Sequence, residues 1–273
     1  MLLTGTIVTY NNNIDVLTKT IMSFFNTKID VKLYIVDNSN SKYIKNFCSN
    51  INFNIEYIPL KKNIGFGAGH NVVMREPAKL GKYHLVLNPD ITFEKGVLEE
   101  LISYMENNSL VGNVMPKVLY PDGSMQYLCK LLPRPLDWIG RLIIPWKSIK
   151  NRISYRFEMR FTDYNTINNV PYLSGCFMLL RKESILNVGL FDERIFMYGE
   201  DTDLNRRIGK EYLTIYYPNV KITHEFAKAS HKELRLLVIH IKAAIYYFNK
   251  WGWFNDKERD RINNEILKKY QKK

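Results

Sequence analysis

Three features of the sequence predict an α/β fold: a mostly parallel sheet flanked by helices, with a helical tail at the C-terminus. Up to about residue 116, short β-branched runs alternate with helix-like stretches, the pattern of right-handed βαβ crossovers. Each run ends in polar residues, as the ligand-facing edge of such a sheet does. The 273 residues, 46% hydrophobic and 24% charged, suffice for one large domain with a smaller appendage and carry no disordered bias.

In order, "GTIVTY", "VKLYIVDN", "FNIEYI" and "YHLVLN" read as strands, and the stretches beginning near Asn13, Ser41, Phe66 and Gly96 read as helices. The strand ends carry Tyr10-Asn11, Asp37-Asn38, Lys61 to Asn63 and Asn88-Pro89-Asp90. In the last of these the proline stops ladder pairing and fixes the backbone that displays Asp90 on the binding edge. "KVLYPDGSMQY" predicts a hairpin turning at Pro121-Asp122-Gly123. From Leu128 to Asn169 the periodicity fades into a long insertion rich in proline, tryptophan and basic residues, the mark of a functional loop. "VPYLSGCFMLLRK" then reads as one strand, "EDTDLNRRIGKE" as a helix and "VKITHEF" as a further strand. Two helical stretches close the chain.

The net charge of +12 is uneven: Lys228 to Lys273 hold 12 Lys and Arg against 5 Asp and Glu, which favours a polyanionic partner for the tail. Nucleic acid is not the expected partner, because that surplus lies apart from the acidic sheet edge. Cys48, Cys129 and Cys176 are widely spaced and form no CxxC pair, which suggests neither a disulfide framework nor a zinc site and fits a reducing cytosol. The N-terminus lacks the basic and apolar regions of a signal peptide, and no run reaches the roughly 18 apolar residues of a membrane span.

Taken singly, each candidate for chemistry has a structural explanation at least as good. Asp90 suits a turn and Asp37 a helix cap. The GxGxG in "NIGFGAGHN" is not the dinucleotide GxGxxG. Glu200, Asp201 and Asp203 suit the first turn of a helix, where the dipole favours acids and also helps to keep a general base ionised. His224, after an apolar strand, is equally a core histidine.

Their combination is more specific. "VTYN", "VDNSN", "NIGFGAGHN", "LNPD", "LSGCFML", "GLFDERIFMYGEDTDL" and "ITH" occur in that order and resemble the family 2 glycosyltransferases of GT-A fold. The nearest likeness is to their bacterial rhamnosyltransferase-like branch, over about Thr6 to Ser230. The resemblance implies a glycosyltransferase domain over 1–228; the basic amphipathic helical extension expected over 229–273 lies outside it. It also implies a nucleotide-sugar donor (dTDP- or UDP-linked), inverting transfer and a divalent metal, Mg²⁺ or Mn²⁺. By matching motif, Thr9, Tyr10, Asn11 and Asp37 are expected at the nucleoside, with Asn63, Gly65 and Asn71 shaping the diphosphate-sugar side. "NPD" stands in place of the family's DxD motif, so Asp90 is the expected metal ligand and His224 its complement. Asn88 replaces a first aspartate and leaves fewer charges for the ion, so metal should bind weakly without donor. Asp201 matches the catalytic base, with Glu200 beside it.

The tail helix around "KELRLLVIHIKAAIYYFNKWGWF" is apolar on all but a stripe of Arg235, Lys242 and Asn249. It suits either core packing or an anionic membrane surface, with Trp251 and Trp253 at the headgroups and "DWIGRLIIPWK" on the same face. A glycan or lipid-diphosphate-linked acceptor, implied by the resemblance, makes a peripheral position on the inner face of the plasma membrane the expected location.

Overall fold

The computed structural model describes residues 1–225 and 234–271. The elements run β1 (Leu3–Thr9), α1 (Ile14–Phe25), β2 (Val31–Asp37), α2 (Lys42–Asn50), β3 (Ile55–Pro59), α3 (Phe66–Met74), β4 (Tyr83–Leu87), β5 (Ile91–Phe93), α4 (Val97–Glu106) and β6 (Val111–Leu119). They continue with β7 (Cys129–Lys130), α5 (Arg141–Ile143), α6 (Lys147–Phe157), β8 (Asn168–Asn169), β9 (Tyr172–Leu173), β10 (Phe177–Arg181), α7 (Lys182–Val188), α8 (Glu200–Ile208), β11 (Leu213–His224), α9 (Leu234–Trp251) and α10 (Lys257–Gln271).

Local chemistry sets the first four helices where the sequence predicts them. Asn13 caps α1 by accepting from the Asp15 and Val16 amides, and Ser41 caps α2 at the Ile44 amide. In α1 the buried residues Leu17, Thr20, Ile21 and Phe24 keep the spacing of one helical face. The strands alternate likewise: Leu33 and Ile35 of β2 enter the core on one side of the sheet, and Tyr34 and Val36 the core on the other.

The main sheet runs β3-β2-β1-β4-β10-β6-β11-β5, with β8 also on β11. β3, β2, β1 and β4 are parallel, as are β6 and β11, while β10 runs antiparallel to β4 and β6, and β5 and β8 antiparallel to β11. The α/β class holds, as a mixed sheet whose parallel half carries the crossovers.

Three local expectations are corrected. The hairpin turn forms, with the Gly123 amide on the Tyr120 carbonyl at 2.9 Å, but its return arm makes only the Leu119–Met125 bridge. Gln126 ends that arm by turning its amide inward to the His224 carbonyl at 2.9 Å. "VPYLSGCFMLLRK" is two strands, because the chain breaks at Ser174–Cys176, where the Gly175 amide donates to Asp201. Finally, α7 and the first half of β11 form where no helix or strand was expected.

The insertion folds onto the tail. Asn263 of α10 donates to the Leu132 carbonyl and accepts from its amide, at 2.8 and 2.9 Å. Trp138 packs on Tyr247 and Phe248 of α9. Arg206 of α8, buried, makes a two-pronged bond to Asp256 at 2.6 and 2.7 Å and lies over the Trp251 ring. Removing one partner of such a pair typically costs about 3–5 kcal/mol, so the tail is firmly tied to α8. Trp251 donates to the buried Asp203, which turns its indole N–H into the fold, whereas Trp253 donates to Asn249 at the surface. The expected boundary between 228 and 229 lies outside the described residues. Among those residues no helix is long and apolar enough to cross a membrane.

Candidate active site

Above the carboxyl edge of the sheet opens a cleft of about 670 Å³, lined among others by Asn88, Lys130, Trp138, Tyr172, Asp201 and His224. The segment Asn88-Pro89-Asp90 leaves β4 in mid-sheet and crosses to β5, which pairs with β11 at the far edge, so that Ile91 lies opposite His224. Three bonds hold the crossing: the Asn88 amide to the Cys176 carbonyl, the Thr20 hydroxyl to the Pro89 carbonyl, and the Glu225 amide to the Asp90 carbonyl. Asp90 Oδ1 thereby comes 3.3 Å from His224 Nε2, and Asn88 Nδ2 lies 3.4 Å from the same nitrogen.

A hydrogen-bond network orients the His224 ring. Gln126 Nε2 donates to the carbonyls of Leu119 and His224, so Gln126 Oε1 faces the ring and accepts from Nδ1 at 3.0 Å. Nε2 is thereby turned to Asp90 Oδ1, a buried oxygen without a hydrogen-bond partner. Their separation is near that of neighbouring ligands on a cation with bonds of ~2.1 Å, and a ring nitrogen oriented by a hydrogen bond at its other nitrogen is the usual arrangement at metals. Among the described residues no cluster of three or more metal-binding side chains occurs, so a divalent ion held by this pair would need further ligands from water and substrate oxygens.

Asp201 enters the cleft from the first turn of α8. Its carboxylate is partly exposed and accepts from the Gly175 amide at 2.8 Å, the Thr202 amide at 2.8 Å and Tyr172 Oη at 3.4 Å. Gly199, just before α8, has φ 135°, and a Cβ there would meet the Trp138 ring at 2.4 Å, so the start of this helix abuts the insertion. Asp203 is buried and bound by Arg207, Lys250 and Trp251, which makes it a tie to the tail.

Glu200 is buried, one carboxyl oxygen has no partner, and burial followed by the charge of Asp201 pushes its pKa up to about 8. At neutral pH it is a neutral acid beside an aspartate, and only Asp201 of the two is suited to take up a proton. The folded state keeps a proton that the unfolded chain releases near 4.5, so stability should fall as pH rises from about 4.5 to about 8, by up to ~1.4 kcal/mol per unit. Glu200→Gln should flatten that slope in denaturant titrations at a series of pH values; an unchanged slope would show that Glu200 ionises normally.

The expected nucleoside side lies at the ends of β1 and β2. Tyr10 and Asn11 are exposed, and Asn11 has φ 53°. Thr9 is buried and donates to Asp37, whose carboxylate also receives the Ser39 amide and hydroxyl, the Ser41 amide and Tyr57 Oη. These donors hold Asp37 below the usual carboxylate range despite burial, and they commit it to ordering the loop. Asn63 accepts from the Gly65 amide, and Gly65 has φ 95° and lies against the Phe196 carbonyl with no room for a Cβ, so both its conformation and its surroundings require glycine. Asn71 is buried, with its amide spent on Phe191 and Glu193, so it braces the chain behind the cleft.

Sequence reasoning placed Asn38 at a strand end without a role and did not single out Gln126, Lys130, Tyr172 and Gly175. Asn38 clamps the 63–65 loop through the Ile64 amide and the Gly65 carbonyl. No local signal marks any of them, because their partners lie far along the chain.

With this geometry in place, the comparisons with known proteins agree on a class. The profile of glycosyl transferase family 2 matches residues 6–189, and the chain belongs to that family. Glu200, Asp201 and His224 lie beyond the matched stretch. An N-acetylglucosaminyl-diphospho-decaprenol L-rhamnosyltransferase of Mycobacterium tuberculosis is 27% identical over 66% of this chain, a stretch that spans 62% of that relative's length. Rhamnosyltransferase WbbL of Escherichia coli is 26% identical over 85% of this chain and 88% of its own. The mannosyltransferase PcManGT of Pyrobaculum calidifontis, solved with GDP-Man and Mn²⁺, superposes with a TM-score of 0.56 at 15% identity, over 89% of this chain and 64% of that one. That likeness is one of fold.

Proposed function

We propose that the protein is an inverting, metal-dependent glycosyltransferase. It moves a sugar, with L-rhamnose from dTDP-rhamnose the first candidate, to a lipid-diphosphate-linked or surface-polysaccharide glycan. The observation that carries this reading is that Asp201 and the Asn88–His224 end of the metal pair face one cleft. A leaving diphosphate and an incoming hydroxyl approach an anomeric carbon from opposite sides, and such a cleft serves both.

Asp90 and His224 would hold the ion, which supplies charge stabilisation to the departing diphosphate. Asp201, oriented by Gly175 and Thr202, accepts the proton of the attacking hydroxyl. Tyr10 and Asn11, exposed at the β1 end, remain available to the nucleoside, while Asp37 and Asn63 order the loops that frame it. The names of the mycobacterial and E. coli relatives support rhamnose, and the former supports a prenyl-diphosphate acceptor.

The exposed part of the insertion supports a peripheral place on the inner membrane face. Leu136, Ile143, Trp146 and Ile149 are exposed there, next to exposed Lys147 and Arg152.

The test is a melting-temperature panel of dTDP-rhamnose, UDP-galactofuranose, UDP-glucose and UDP-galactose with and without Mn²⁺. A ligand at 100 times its Kd adds about 2.7 kcal/mol to the folded state. The expected result is a metal-dependent shift with dTDP-rhamnose. A shift with a UDP-sugar alone would change the donor, and none with any sugar nucleotide would sink the enzyme reading.

A further inference from the structure

One wall of the cleft holds more positive charge than proton removal by Asp201 requires. Lys130, on β7, lines the cleft with its ammonium 3.5 Å from Tyr172 Oη and 4.8 Å from that ring's centroid. Among the described residues no carboxylate forms an ion pair with it. Arg141 and Arg160 share a single carboxylate, Glu158, at 3.0 and 2.8 Å. The other acid of this wall, Asp137, is taken by Arg156 at 3.7 Å and by the Arg134 amide. Three cations therefore face two carboxylates, Glu158 and the partly exposed Asp201, so this wall carries a positive surplus that an anionic ligand would offset.

A second observation points to a ligand in the same place. Trp138 lines this end of the cleft, and its indole N–H is buried without a partner. The wall is also continuous with apolar surface: Leu142 and Phe157 line the cleft, while Leu136, Ile143 and Trp146 of the same segment are exposed outside it. Lys130 lies across Tyr172 from Asp201, since Tyr172 Oη is 3.4 Å from the Asp201 carboxylate. An anion held there is on the Asp201 side of the cleft, where the attacking hydroxyl of the proposed reaction would enter.

We propose that Lys130, Arg141 and Arg160 form a subsite for the diphosphate diester of the acceptor, whose hydrocarbon chain leaves over Leu136, Ile143 and Trp146. The proposal rests on the glycosyltransferase reading above and names the acceptor class of that site. A diphosphate diester carries negative charge that such a wall attracts, and guanidinium groups bind phosphate oxygens in pairs.

The test titrates the full chain by tryptophan fluorescence with farnesyl-diphospho-N-acetylglucosamine, octyl N-acetylglucosaminide and inorganic pyrophosphate. Wild type should bind the prenyl-linked probe at least about tenfold more tightly than the octyl glycoside, and Lys130→Met and Arg160→Met should each remove most of that advantage. Arg160 is exposed, so its variant serves where Lys130→Met fails to fold. Donor affinity measured with Mn²⁺ should not change. Variants that titrate like wild type, or that lose donor affinity instead, overturn the subsite. Pyrophosphate binding as tightly as the prenyl-linked probe overturns the lipid-linked assignment. The melting shift with sugar nucleotide and Mn²⁺, measured in parallel, keeps the two readings apart: a shift with no probe discrimination sinks only the subsite, and no shift with any sugar nucleotide sinks the enzyme reading.

Discussion

Asp201→Asn should lower sugar transfer by about a thousandfold while leaving metal-dependent donor binding intact, the loss expected when a positioned general base is removed. The carboxylate accepts the Gly175 amide on one oxygen and the Thr202 amide on the other. An asparagine has only one acceptor oxygen, so one of those amides loses its partner at a cost of about 1–3 kcal/mol. The variant's melting temperature should therefore drop modestly, and turnover should be measured well below it. Donor titration by calorimetry separates the two effects. Transfer at the wild-type rate in a folded Asp201→Asn protein would remove Asp201 from the base role, and loss of donor binding would make it a binding residue instead.

The second large effect is expected at the crossing segment. Asp90→Ala should weaken donor binding in the presence of Mn²⁺ by about a hundredfold or more, because the pair at 3.3 Å would lose its only anionic member. Asp90→Asn, which keeps one oxygen but no charge, should fall between. Calorimetric titration of donor with and without Mn²⁺ checks this: wild type should depend on the ion, and the alanine variant should behave alike in both. A wild-type titration indifferent to Mn²⁺ and to chelator would refute the ligand assignment of Asp90 and His224 together.

Much of this architecture was legible along the chain. Asn13 and Ser41 stand where their helices begin because capping is a matter of two or three residues. The alternation in β2 shows which residues enter which core because pleat periodicity is local. Cooperation between "NPD" and the acidic stretch at Glu200 was legible only through the order of motifs, since no spacing between them encodes a distance. The hairpin around Gly123 was legible, but not that its return arm stops after one bridge, where Gln126 bonds both its own Leu119 and His224, 98 residues away. Trp251 and Trp253 fit an interfacial belt by composition, but Asp203 and Asn249 take their N–H groups.

The sequence by itself determined the parallel half of the sheet, the polar residues at its carboxyl edge and the helix that starts at Glu200, since each depends on periodicity, capping or turn chemistry among near neighbours. Only the tertiary structure decided that Asp90 lies beside His224, that Glu200 is too buried to ionise at neutral pH, and that Lys130 meets Tyr172 in the wall of the cleft. Those outcomes depend on strand order and on how the insertion and tail pack. Both bring together groups tens of residues or more apart, whose charge states are then set by desolvation and by neighbours that a linear reading does not see.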